Sequence, residues 1–422
     1  MQGSFSNLNG SILPDGSVLT LTPNQQSVAG ALDQVALENN FKTGTATPGQ
    51  VALKFINDQT INGSVASVPG DLDLLAPEEL TSIFHIGRAL SGLQYANLMR
   101  HFDELRAEAG SAARGGMAGL NSVNVSGMEG PRGRGGKEVR PPRQMMGNER
   151  WGTFLMGSGN FTHVGSTSNA SGYNIDTGGV TVGLEYKVAE NFVVGIDAGY
   201  ASTSARLING GKVDVDGGQF GIFASYFDMG FYVDAAVHGG VASYKTRRTA
   251  LGGVETASPG GSSISVLLAG GYDWKSGGWT VGPTVNFQYT NTRLNGFTEN
   301  GGSLAPLTVA GHNGESVRTS VGARAFYDAN LSNGIIIRPE ARVAWQHEYS
   351  NTSYALTSNF ATLGGNAFTV SGPQIGRDSL LIGAGVTVVW NSLLSTFVAY
   401  DGELARTNTE SHSVSGGVRI KF

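Results

Sequence analysis

Cysteine is absent from this 422-residue chain, so disulfides play no part in its fold. In a secreted chain that must stay unfolded until late, lacking thiols avoids premature disulfides. Plain compositional drift explains the absence equally well. Charge is scarce: 14% of residues are charged, and the net charge of −5 is too small to name a partner. Long apolar runs are missing too. No stretch approaches the roughly 18 consecutive apolar residues of a transmembrane helix. That does not exclude a membrane, because a barrel strand needs only about 10 residues with alternate ones apolar. The opening MQGSFSNLNG has neither a basic n-region nor an apolar h-region. A secreted reading therefore implies that this chain is a fragment or a processed form.

Glycine is plentiful, at 63 residues. With so little charge it describes few soluble enzymes well and suits many short strands joined by tight turns. Length alone suggests two or three domains.

Composition divides the chain into zones. Residues 1–20 lead into the phrase NGSILPDGSVLTLTP, residues 9–23, which looks like the tail of a β-rich segment. Residues 21–110 are polar with two helical patches. The first follows Thr22-Pro23-Asn24-Gln25-Gln26, with Val28, Ala31, Leu32 and Val35 at helical spacing. The second starts near Pro77-Glu78-Glu79, a good first turn. Its apolar positions are Ile83, Ile86, Leu90, Leu93, Leu98, Phe102 and Leu105, with stop signals at Arg106 and Gly110. Residues 111–147 are rich in Gly, Pro and Arg and cannot build a core; they read as a flexible, mildly basic linker. Its single Arg132-Gly133-Arg134-Gly135-Gly136 patch is weak support for RNA binding, and no nucleic-acid partner is expected.

Residues 148–422 alternate throughout. In 334–348 one parity carries Ile335, Ile337, Pro339, Ala341, Val343 and Trp345, and the other Arg338, Glu340, Arg342, Gln346 and Glu348. Successive side chains on a strand point to opposite faces, so one face is apolar and the other charged. Phe192, Val194, Ile196, Ala198 and Tyr200 oppose Asp197 in the same way. Phe231, Val233, Ala235 and Val237 oppose Tyr232, Asp234 and His238. Val414, Val418, Ile420 and Phe422 oppose Ser415, Arg419 and Lys421. A single strand fits either a soluble two-sheet sandwich or a membrane barrel with a wet lumen. Connection lengths discriminate. Short turns occur at Ala189-Glu190-Asn191, Asp228-Met229-Gly230, Ser276-Gly277-Gly278, Asn330–Gly334, Asn391-Ser392 and Asn408-Thr409. Longer Gly/Ser/Thr-rich links fall near 163–171, 206–212, 246–262, 294–312 and 350–376. Short turns on one rim and long loops on the other are the habit of outer-membrane barrels.

The expected fold is all-β: an antiparallel transmembrane β-barrel of about 12 strands with a partly helical N-terminal segment. The strands fall near 150–162, 172–187, 191–206, 212–227, 230–246, 262–275, 278–293, 313–329, 334–349, 377–390, 394–406 and 410–422. Aromatics at segment ends (Trp274, Trp279, Tyr327, Trp345, Trp390, Tyr400) suit a membrane interface. The charged parity makes Asp197, Asp234, Arg338, Glu340, Arg342, Glu348 and Arg419 the lumen-facing candidates.

Three pieces resemble the C-terminal region of monomeric autotransporters (type V secretion). Thr22–Asp33 looks like the segment just upstream of their translocator. Ala89-Leu90-Ser91-Gly92-Leu93-Gln94-Tyr95-Ala96-Asn97 looks like their Ser-Gly-Glu-x-Tyr-Ala motif, although Leu93-Gln94 departs from the acidic residue there. Arg338–Glu348 looks like a hallmark late strand, and the chain ends Gly417-Val418-Arg419-Ile420-Lys421-Phe422.

The resemblance implies a barrel in the bacterial outer membrane that moves its own N-terminal passenger to the cell surface. It implies outer-membrane lipid, the barrel assembly machinery and the passenger as partners, and a monomer. Val414, Val418, Ile420 and Phe422 would form the assembly signal, an exposed edge for β-augmentation. The threading segment would lie within 85–150. Either the Ile83–Glu108 helix fills the lumen, or the basic linker does, its arginines facing Asp197, Asp234, Glu340 and Glu348. A passive porin and a surface adhesin barrel are the alternatives.

Catalysis is not expected. The seven histidines (85, 101, 163, 238, 312, 347, 412) are widely separated, so no metal or cofactor is expected. There is no Gly-x-Ser-x-Gly elbow and no phosphate-binding loop. His347 and Glu348 fall on opposite faces. The sole Asn39-Asn40 pair lies too far upstream for self-cleavage in the lumen.

Overall fold

The computed structural model describes residues 9–11, 17–39, 54, 67–120, 150–207, 210–332, 334–350 and 352–422, with side chains omitted for 37–39 and 108–120. Twelve long strands build the barrel. They are β1 (Trp151–Val164), β2 (Tyr173–Ala189), β3 (Phe192–Leu207), β4 (Lys212–Asp228), β5 (Phe231–Ala250) and β6 (Gly260–Tyr272). They continue as β7 (Trp279–Leu294), β8 (His312–Tyr327), β9 (Ile336–Glu348), β10 (Asp378–Val389), β11 (Leu394–Arg406) and β12 (Thr409–Lys421). Each pairs antiparallel with the next, and β12 pairs with β1 from Gly152↔Lys421 to Val164↔Thr409. That seam closes the sheet and removes its edges, the one way strands can cross hydrocarbon with every backbone group satisfied.

Alternation decides the faces. On β9, Pro339, Ala341, Val343 and Trp345 are exposed outward, whereas Arg338, Gln346 and Glu348 are buried inside. Leu155, Val182, Ile222, Val233, Val321 and Val398 continue the apolar outer surface. Trp151, Trp274, Trp279, Tyr327, Trp390 and Phe422 gather at the short-turn rim, an interfacial girdle. Trp345 and Tyr400 are also exposed but stand apart from that ring, deeper in their strands.

Two connections depart from expectation. The Thr407–Asn408 turn lies on the long-loop rim. Turns must alternate between rims, and the preceding turn near Asn391 occupies the other one. β3 ends at Leu207 and β4 begins at Lys212, so the connection expected to be long is short.

The long loops are also more ordered than their Gly/Ser/Thr content suggests. Phe297–Thr298, Leu307–Val309, Ala355–Phe360 and Phe368–Ser371 form a second, four-stranded antiparallel sheet above the mouth. Helix α1 (Pro23–Asn39) packs on it, and α2 (Val68–Leu75) packs on α1. Val28, Leu32, Val35, Leu72, Leu75, Leu307, Leu356, Phe360 and Val370 are all at most 1% exposed in this shared core. Leu19 and Leu21 join it too, so buried packing crosses the boundary drawn after residue 20.

The start of α1 explains its sequence. Thr22 is the N-cap: its Oγ1 accepts from the Gln25 amide at 3.2 Å, and its own amide donates to Gln25 Oε1 at 2.9 Å. This is a reciprocal capping box with Pro23 at the first helical position. Gln25 Nε2 then donates to Asp73 Oδ1 at 2.8 Å, tying α1 to α2. Asn24, 2% exposed, bolts the cap to the barrel. Its Nδ2 donates to Glu78 Oε1 (2.8 Å), Asn169 O (2.9 Å) and Ser371 O (2.9 Å), and its Oδ1 accepts from the Ser371 amide (2.8 Å). Asn24→Ala leaves several of these groups buried and unpaired, and is expected to destabilise the cap by about 3 kcal/mol. Hydrogen exchange of residues 19–36 and 68–81 reads the effect. Unchanged protection would refute the bolt.

Glu79 adds a pH dependence. It is 2% exposed, and burial pushes its carboxyl up to about 7, opposed by Arg248. Below its ordinary value of 4.5 the group is protonated in both the docked and the opened cap, and carries no penalty. As pH rises toward 7 only the opened form ionises freely, so cap stability falls, by about 3 kcal/mol at most. The cap is therefore expected to be better protected at pH 5 than at pH 8. Glu79→Gln should flatten that difference in the same exchange measurement.

Candidate functional site: the barrel lumen

A 3₁₀ turn (Glu78–Thr81) leads into α3 (Ser82–Leu120), which runs down the barrel. Its first turns lie at the long-loop rim, where the Phe84 ring sits 5.2 Å from Tyr354 and 6.5 Å from His312. Lower down, the Arg106 guanidinium lies 3.9 Å from the Tyr232 ring near the short-turn rim. Gly110 does not stop the helix, which continues to Leu120. Each interior Gly (Gly110, Gly115, Gly116 and Gly119) costs about 1 kcal/mol, and the intervening Ala, Arg and Met residues favour helix.

The amphipathic pattern of α3, unexpected for a wet lumen, has a direct cause. The wall carries its own apolar patch. Tyr95, Leu98, Phe102 and Leu105 pack on Phe154, Met156, Val193, Phe223 and Leu267 from β1, β3, β4 and β6. The rest of the helix is held by polar contacts. Gln94 donates to Asp197, and His238 Nε2 lies 3.0 Å from the same carboxylate. Asn97 Nδ2 donates to Thr181 Oγ1 at 2.9 Å, and Ser158 Oγ donates to Asn97 Oδ1 at 2.5 Å. Arg100 spans Glu340 (2.5 Å) and Asp401 (2.8 Å). His101 Nε2 lies 2.5 Å from Glu185, which also pairs with Arg419. Asp103 pairs with Arg324, and Arg106 with Asp234.

The structure places all seven lumen candidates inside the barrel. Asp197, Asp234 and Glu340 contact the helix directly. Arg342 and Arg419 reach it through Asp401 and Glu185. Arg338 instead pairs with Asp328 at 2.5 Å near the short-turn rim. Glu348 accepts from Ser316 Oγ (2.6 Å) and the Val317 amide (2.9 Å) near the other rim. The arginines meeting Asp234 and Glu340 thus come from α3, while Asp197 and Glu348 take uncharged donors. The linker's own placement falls outside the described residues. Among the signal residues, Val414, Ile420 and Phe422 are exposed outward and Val418 is half-buried. The Phe422 amide donates to Trp151 O at 3.0 Å, so the terminus lies on the seam.

Sequence reasoning missed Glu185, Asp273, Arg318, Arg324, Asp401 and Glu403 on the wall. Their inward parity was legible on each strand. It also missed Gln94, Asn97, Arg100, Asp103 and Arg106, the polar face left when the apolar helical positions are removed.

A closed 12-strand barrel with an apolar belt, and with its own N-terminal helix filling the lumen, defines the class: an outer-membrane barrel arranged around a segment of its own chain. The autotransporter β-domain family model matches residues 153–401, and the chain belongs to that family; it is a translocator. The fold resembles the translocator domain of the autotransporter NalP from Neisseria meningitidis, with TM-score 0.52 and 14% identity over 65% of this chain and 89% of that one. The β-domain of the Bordetella autotransporter BrkA gives TM-score 0.50 and 20% identity over 65% and 100%. An extracellular serine protease of Serratia marcescens is 28% identical over 284 residues, 65% of this chain and 26% of that protein. Esterase EstA of Pseudomonas aeruginosa is 26% identical over 242 residues, 53% and 35%. The chain therefore matches only 26% to 35% of the length of these curated relatives.

Proposed function

We propose that this barrel delivers a passenger N-terminal to residue 20 to the cell surface, and that α3 is the trailing segment left in the pore. The observation that carries this reading is the direction of α3. Its N-terminal end lies at the long-loop rim, the outer side in barrels of this kind. Everything upstream of Ser82 therefore belongs outside. A passive porin is not favoured, because the helix occupies the lumen a solute would use. The barrel works as a monomer in outer-membrane lipid, without nucleic acid or cofactor. Its Val414–Phe422 strand offers the edge that the barrel assembly machinery pairs with during insertion. The translocator contributes transport and no catalysis. Any enzymatic activity resides in the passenger, as the protease and esterase names of two relatives suggest.

The test is a reporter fused ahead of residue 9, in a chain carrying a signal peptide. A heat-modifiable band on gels reports the closed barrel. Protease digestion of intact cells reports the reporter's side. A reporter protected in intact cells that hold a folded barrel would refute delivery.

A further inference from the structure

Beside α3 the lumen keeps a cavity of about 260 Å³. Four arginines line it: Arg88, Arg318, Arg324 and Arg342. Two are paired, Arg324 with Asp103 and Asp273, and Arg342 with Asp401. Arg88 on α3 and Arg318 on β8 are different. Neither makes a hydrogen bond or ion pair with a described residue, and Arg88 Nη1 and Arg318 Nε are buried without a partner. Arg318 is only 7% exposed.

The carboxylates nearby are already engaged. Glu403, on the same cavity, accepts from Arg406 at 2.9 Å and Gln346 at 3.4 Å. Glu348 is held by Ser316 and two backbone amides. Arg406 itself leaves Nη2 buried and unpartnered. His85, also on the cavity, adds no negative charge. Cations therefore outnumber available carboxylates at this level of the lumen. Arg88, Arg318 and Arg406 thus share the charge of Glu403 and Glu348, three guanidiniums facing two carboxylates. An incompletely matched buried guanidinium is costly, and a small oxyanion accepts several donors at once.

We propose that Arg88 and Arg318 form a binding site for a small free oxyanion of the phosphate type, held between the lumen helix and the barrel wall. The anion replaces the missing carboxylate and clamps α3 to β8. Lipid phosphate is not the source, because the site faces the lumen and the lipid-facing surface is the opposite one.

The experiment uses the purified full chain in detergent, with inorganic phosphate as probe at constant pH and ionic strength. Phosphate is expected to raise the temperature at which the heat-modifiable band converts, saturably and by about 5 °C at 100-fold excess over Kd. Arg88→Gln, on the helix, and Arg318→Gln, on the wall, should each abolish the saturable part. In phosphate-free buffer both should convert at or above the wild-type temperature, because an unpaired charge has been removed. Phosphate also stabilises proteins generally, but that effect is shared by all variants. Titration calorimetry should give one phosphate per wild-type chain and none for Arg88→Gln. An identical phosphate response in wild type and both variants would overturn the site, as would an absence of binding heat in the wild type.

Discussion

Arg106→Ala is expected to loosen the lumen helix by about 3–5 kcal/mol, the typical cost of stranding one member of a buried ion pair. Asp234 is fully buried, and among the described residues it is held, besides Arg106, only by Ser225 Oγ at 2.6 Å. Without the guanidinium, a carboxylate is left inside the barrel with no cation against it. Arg106 also lies over the Tyr232 ring and pairs with Asp103, so truncation weakens three contacts at once. The readout is hydrogen exchange of the 82–107 backbone, with the gel shift reporting whether the strands remain closed. Adding Asp234→Leu to Arg106→Ala should recover much of the loss, because the stranded charge is then gone. If the double variant is as loose as the single one, the ion pair is not what holds the helix.

Gly282→Ala should cost about 3 kcal/mol and deplete the closed barrel. A Cβ at Gly282 would stand 1.7 Å from Tyr272 O and 2.8 Å from Tyr272 C, both backbone atoms that no rotamer change can move. The pairing explains the crowding. Gly271↔Thr284 and Trp274↔Val281 keep one register, but the ladder lapses between them at Tyr272 and Asp273, and Gly282 sits against that gap. Relief requires β6 and β7 to part. That displacement would also disturb Asp273, whose carboxylate holds Arg324 at 2.8 Å. Gly157→Ala is the control, since nothing lies within 4 Å of its added Cβ. A folded fraction equal to that control, measured as the heat-modifiable band, would show that the strands yield without cost.

The strand pattern was legible because its signal is local. Alternation has period 2 along the chain, and each of the 12 segments shows it without reference to its neighbours. The inward parity of Asp197, Asp234 and Arg419 follows from the same rule. The capping box at Thr22 and Gln25 is equally local. The loop sheet was not legible. Leu307–Val309 and Ala355–Phe360 are short, and Gly/Ser/Thr surround them. They become strands only because they pair with each other across the mouth, next to Phe368–Ser371, which carries the contact with α1.

By itself, the sequence determined how many strands there are, which residues face lipid and where the lumen helix starts. All of these follow from spacing along one stretch of chain. Only the tertiary structure decided which helix residue meets which wall residue. Arg100 and Asp401 are 301 positions apart and Gln94 and Asp197 103 apart. Their meeting depends on barrel closure, strand stagger and the rotation of α3 together. The place of α3 in the lumen is explained the same way. An amphipathic helix looks wrong for a polar pore until the apolar patch at Phe154, Val193, Phe223 and Leu267 is assembled from four separate strands.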